Sequence, residues 1–200
     1  RDQPDDQPVR WAPAVYEPAT AILPHFQSNP VPWEKRHFDV SFVGDHQTGR
    51  RKAIVRGLLR ARTGLNLFVS GRLDSASYAE TVRESRAVLS LPGDGPRCRR
   101  EWETLMAGSL LVLDEDSYQR HLHAPLIAGE NCVGLPLASD PTGAMTKLES
   151  ILKSPDAQTT ASRGQALTTM WTENGRCPLW NQILQLVTNP TPRTTASISR

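Results

Sequence analysis

Lysine is scarce in this chain, four against nineteen arginines, and so are cysteines, aromatics and long apolar runs. The three cysteines, Cys98, Cys132 and Cys177, are widely spaced and odd in number. They lack the close pairs that a structural zinc site or a disulfide scaffold would show, so neither is expected, and the redox compartment is left open. No apolar stretch approaches the ~20 residues that cross a bilayer, so membrane association is expected only through sequence outside this chain. The opening RDQPDDQP is not a signal peptide and has no initiator Met, and the expectation is a fragment or a processed product.

Several enzyme signatures are missing too. No serine occupies a Gly-x-Ser-x-Gly elbow, and no cysteine has the local surroundings of a nucleophile. Neither a dinucleotide fingerprint nor a phosphate loop ending in Gly-Lys-Ser/Thr is present. His121 and His123 lack a nearby third ligand, so no metal site is expected. The only Asn-x-Thr triplet, at Asn189, has proline in the middle and is no glycosylation site.

What is there fits one main domain. Of the 200 residues 38% are hydrophobic and 22% charged, enough for a packed core. The net charge of +2 is far from that of a chain built to coat nucleic acid, and none is expected as a partner. The arginines come in clusters. Planar, bidentate recognition of carboxylate or phosphate is one reading of this preference; a GC-rich genome is the other.

Residues 1–35 hold seven of the 16 prolines among scattered aromatics and read as an extended lead-in or the remnant of an upstream domain. Residues 189–200 read as a flexible tail. Between them, 36–188 alternate strand and helix signals about five times. HFDVSFVG, LNLFVSG, RAVLSLPG, SLLVL and NCVGLPL are short apolar strand candidates. GRRKAIVRGLLRARTG places Ile54, Val55, Leu58 and Leu59 on one helical face. Asp140–Pro141 and Ser154–Pro155–Asp156 mark two later helix starts, and Leu179–Val187 a last helix. Apolar strands without polar alternation suit a parallel sheet buried on both faces, so the predicted fold is a Rossmann-like, doubly wound α/β domain. An α+β arrangement with some antiparallel strands is the alternative.

In such a sheet ligands bind beyond the carboxyl ends of the strands. PGDGPRCRR, residues 92–100, falls at that edge. Its loop around Gly95 offers backbone N–H groups, and Arg97, Arg99 and Arg100 add charge-assisted donors, a set that matches a diphosphate. Solvated arginines paired with Glu101, Glu103 and the acids at 114–116 are the plainer reading. Glu103, on the following short helix, is suited to accept hydroxyl hydrogen bonds from a ribose or sugar ring; Trp102 is expected in the core. Asp45, Asp94 and Asp114 are read as loop carboxylates. His46, just beyond the first strand, is a candidate base or donor, and GRRK at 49–52 adds positive charge near the same loop.

The segment SRAVLSLPGDGPRCRREWETLMAGSLLVLDED resembles the C-terminal, donor-binding half of nucleotide-sugar glycosyltransferases with two facing Rossmann-like domains (GT-B), especially the exostosin-like group and the bacterial group-1-like transferases. Those families show a strand, a Gly/Pro loop, an Arg, three residues later a Glu, then Ala-Gly before the next strand. Here these fall on Arg100, Glu103 and Ala107–Gly108. The resemblance implies that Arg100 meets the donor diphosphate and Glu103 the ribose or donor sugar. Where many retaining relatives carry a second glutamate, this chain has Gly95, so the resemblance brings no carboxylate pair.

Two functions follow as expectations. One is a hexosyltransferase that uses a nucleotide diphosphate sugar as donor substrate, with no tightly bound cofactor and a divalent ion left open. Its acceptor would be a saccharide, protein or small molecule, presented by an upstream domain. The other is a non-catalytic nucleotide or nucleotide-sugar binding module. The resemblance points to the secretory lumen for an exostosin relative and to the cytoplasm for a bacterial one.

Overall fold

The computed structural model describes residues 25–26, 30–47, 49–91, 100–115 and 126–173. A single 3-10 turn at Trp33–Lys35 leads into strand β1, Phe38–Val43. Then come α1 (Gly49–Arg60), β2 (Leu67–Ser70), α2 (Ser75–Arg83), β3 (Ser85–Ser90) and α3 (Arg100–Met106). The described part ends with β4 (Leu110–Asp114), β5 (Val133–Leu135), α4 (Pro141–Leu152) and α5 (Asp156–Glu173).

All four strand pairings are parallel and the sheet order is β2-β1-β3-β4-β5. This is one of the two common doubly wound orders. The chain first steps outward from β1 to β2, then returns to β1's other side and continues in the opposite direction. The loops that follow β1 and β3 therefore diverge, and the edge of the sheet opens between them.

Burial on both faces explains the apolar strands. On β4, Leu110 and Val112 enter one core cluster and Leu111 and Leu113 another, as the two-residue strand period requires. On β3, Ala87 and Leu89 join the first cluster, while Val88 faces Ala79 and Val82 of α2. The first cluster is closed by Ile54, Val55 and Leu58 of α1 and Ala144, Met145 and Leu148 of α4. Each Ile, Val, Leu or Met side chain so removed from water contributes about 1.5–3 kcal/mol before entropy is counted. The opposite face is covered by α2 and α3, including Trp102, a core residue as expected.

Helix boundaries follow local chemistry. Asp74 caps α2, accepting from the backbone N–H of Ala76 and Ser77 at 3.0 Å each. Asp140 caps α4 through Gly143 N, with Pro141 at the first helical position. Helix α3 stops at Gly108, whose φ of +65° is the left-handed value favoured at a helix end.

The structure corrects three local expectations. Leu59 is 59% exposed, because α1's apolar stripe is narrower than the predicted four-residue face. Asp114 is no loop carboxylate: it is the last residue of β4, fully buried, and accepts the backbone N–H of Ala138 at 2.8 Å. The fifth strand shrinks to three residues, with Asn131 turned back to accept Ile127 N–H. The lead-in before His25, the loop at 92–99, His121, His123, the helix expected at 179–187 and the tail lie outside the described residues.

Candidate functional site

A cleft of about 330 Å³ opens at the carboxyl edge of the sheet. Val43, Gly44 and Asp45 enter it from the end of β1, Arg72 and Leu73 from the loop after β2. Arg51 comes from the first turn of α1, Tyr78 from α2 and Arg100 from the start of α3. Three arginines and one aspartate thus line the opening, which gives it a positive balance of charge.

Arg100 has the most specific geometry. Its Nη2 donates to the carbonyl of Val43, and its guanidinium carbon lies 4.8 Å from the centroid of the Phe42 ring. Its Nε and Nη1 are buried and have no hydrogen-bond partner among the described residues. A buried, unpaired N–H costs about 1–3 kcal/mol, and more on a charged group, unless something accepts from it. The stack on Phe42 fixes the plane of the fork, so those two donors are held in one orientation.

Glu103 is buried, 5% exposed, one turn further along α3. The Tyr78 hydroxyl donates to its Oε2 at 2.8 Å, so Tyr78 stands between this carboxylate and the cleft it lines. The Tyr78 ring is itself held edge-on against Phe26, with centroids 5.9 Å apart. The alternative in which Glu103 is a solvated partner of the neighbouring arginines is at odds with that burial.

His46 lies in the loop after β1, outside the ring of residues lining the cleft. Its Nδ1 is 3.0 Å from the carbonyl of Gly44 and its Nε2 2.9 Å from the amide nitrogen of Gln47. A carbonyl can only accept, which assigns the proton to Nδ1 and leaves Nε2 accepting from the Gln47 amide. Gly95, Arg97 and Arg99 fall in the segment outside the described residues. Of the six predicted site residues, then, Arg100 lines the cleft, Glu103 backs it through Tyr78, and His46 sits at its margin.

Arg72, Tyr78 and Gly44 were not singled out by the sequence. For Arg72 the available signal was position: it follows Ser70–Gly71, the carboxyl end of a parallel strand, where ligands bind. Tyr78 reads as an ordinary apolar residue of an amphipathic helix, and nothing in the local sequence pairs it with Glu103, 25 positions on. Among the described residues, no group of three or more His, Cys, Asp or Glu side chains is placed to hold a metal ion, and no helix is long and apolar enough to cross a membrane. Cys132 is buried, and burial, with Glu101's charge adding, pushes its thiol up to about 12. It stays protonated and unreactive at neutral pH.

The chain matches no protein-family model and no curated protein. The fold itself places it among Rossmann-like, doubly wound parallel α/β domains.

Proposed function

We propose that the cleft binds the diphosphate of a nucleotide sugar and that the chain is the donor-binding part of a glycosyltransferase of the exostosin-like or bacterial group-1-like kind. The observation that carries this reading is Arg100: two buried guanidinium donors without a partner among the described residues, at the edge of a parallel sheet where ligands bind. Arg51 and Arg72, which line the same cleft, add positive charge. The resemblance around Arg100, Glu103 and Ala107–Gly108 supplies the class of ligand.

In this reading Arg100, with Arg97 and Arg99 of the preceding loop, neutralises the diphosphate as it leaves, and the backbone N–H of Gly95 donates to it. An acceptor hydroxyl attacks the anomeric carbon, the glycosidic oxygen of the donor departs with the diphosphate, and the hydroxyl proton passes to a base. Charge grows on the diphosphate during that step, so oriented donors lower the barrier as well as tightening binding. Glu103 offers Oε1 to a ribose or sugar hydroxyl while Tyr78 holds Oε2. His46 serves as the base once Gln47 releases its Nε2.

A second reading, a nucleotide-sugar binding module without transfer, is favoured by one observation: both ring nitrogens of His46 are already engaged. Titration calorimetry with UDP, GDP and their sugar conjugates tests the shared claim. The expected result is saturable binding below millimolar concentration; a folded protein that binds none of them at millimolar concentration overturns it. Sugar transfer from a bound donor to a panel of hydroxyl acceptors then separates enzyme from module.

A further inference from the structure

We propose that Gly44 is a positioning residue for Arg100, and that the anion-binding fork exists only because the end of β1 carries no side chain at that place. Two independent features of Gly44 point there. Its φ is +151°, a backbone conformation that side chains disfavour. A Cβ built on it would lie 2.7 Å from Nη2 of Arg100, nearer than side-chain atoms approach. The next nearest atom, in the Phe42 ring, would be at an ordinary 3.6 Å, so the conflict falls on the guanidinium.

Three consecutive residues thus form a seat. Phe42 provides the ring beneath the guanidinium, the Val43 carbonyl accepts Nη2–H, and Gly44 leaves room beside it. Phe42 is fully buried in the core and cannot yield. The arginine is the flexible partner: adding a methyl group at position 44 pushes its head off Phe42 and turns Nε and Nη1 away from their present direction. Gly44 lies just past the last β1 residue, and its N–H continues the pairing by donating to the Ser70 carbonyl at 3.0 Å, a backbone bond that a side-chain change does not itself remove.

The choice of UDP as probe rests on the nucleotide-sugar reading above; the seat itself does not. The test is a cycle of Gly44→Ala, Arg100→Ala and the double variant, with Gly71→Ala as control, since a Cβ at Gly71 meets nothing within 4 Å. The first readout needs no ligand. The Arg100 Nε–H resonance, assigned by its loss in Arg100→Ala, is expected to be shielded by Phe42 and protected from solvent exchange in wild type. In Gly44→Ala it should move and exchange about tenfold or more faster.

The second readout is UDP affinity. Gly44→Ala and Arg100→Ala should each weaken it about tenfold, and the double variant should bind no worse than Arg100→Ala alone. An unchanged Arg100 resonance in Gly44→Ala, or two fully additive losses, would overturn the proposal. If wild type binds no UDP, the donor reading falls and the resonance still decides the seat. If Gly44→Ala fails to fold but the double variant folds, that suppression is the expected coupling; if both fail, Gly44 serves the backbone alone and the proposal is wrong.

Discussion

Arg36 and Arg100 sit at opposite ends of the same strands, and both hold a guanidinium over an aromatic ring, Arg36 at 5.5 Å from Trp33 and Arg100 at 4.8 Å from Phe42. They differ in what their donors do. Arg36 gives Nε to Val31 O, Nη1 to Ser85 O and Ser109 Oγ, and Nη2 to Ala107 O. It ties the segment before β1 to the start of β3 and the turn before β4. Burial and the nearby charge of Arg86 lower its pKa to about 10, and it still carries its charge at neutral pH. Among the described residues Arg100 has one such bond and two buried donors left over. Identical chemistry is used up by the fold at one end of the sheet and left open at the other.

The largest expected effect breaks this comparison at its structural end. Arg36→Met keeps an apolar stem over Trp33 but strands the carbonyls of Ser85 and Ala107, and should cost roughly 2–4 kcal/mol of stability in urea unfolding. Nucleotide binding by the remaining folded protein should be unchanged. Arg100→Ala is the mirror image: stability within about 1 kcal/mol of wild type, since unpaired donors are removed. Its transfer rate should fall by the equivalent of roughly 2–4 kcal/mol of transition-state stabilisation. A variant that lost stability in place of ligand would make Arg100 a second Arg36.

Glu103→Gln is a smaller and sharper probe. The amide oxygen can still accept from Tyr78, so the melting temperature should hold, while affinity for a sugar nucleotide falls about fivefold with the lost charge-assisted bond. Unchanged affinity would leave Glu103 as an anchor for Tyr78 and nothing more. The smallest effect concerns Cys132. Its folded thiol titrates near 12 against an ordinary 9, so the folded state holds a proton that the unfolded state gives up between those values. Its contribution to stability is complete below pH 9 and lost as pH rises toward 12. Peptide mapping after iodoacetamide at pH 8 should find Cys132 unmodified in folded protein and alkylated in urea.

The alternation of short apolar strands with amphipathic helices made the doubly wound fold legible, because period and burial are local properties. Gly108 at the end of α3 and Asp140–Pro141 at the start of α4 were legible for the same reason. The cleft was legible only where one chain segment carried it. Arg100 announces itself beside a glycine-rich turn. Tyr78, Arg72 and Gly44 join it through the β1–β2–β3 topology, and no local pattern records a contact between positions 44 and 100 or 78 and 103. Arg36 was missed for a related reason: its four acceptors come from three separate places in the chain, and an isolated arginine before a strand looks solvated.

A crystal structure of the protein with UDP bound is the most direct test of the claim that Arg100's spare donors await a diphosphate. Phosphate oxygens are expected within hydrogen-bond reach of Arg100 Nε and Nη1, in the cleft between Gly44 and Tyr78. A nucleotide bound elsewhere, with Arg100 still turned only to Val43, would contradict it.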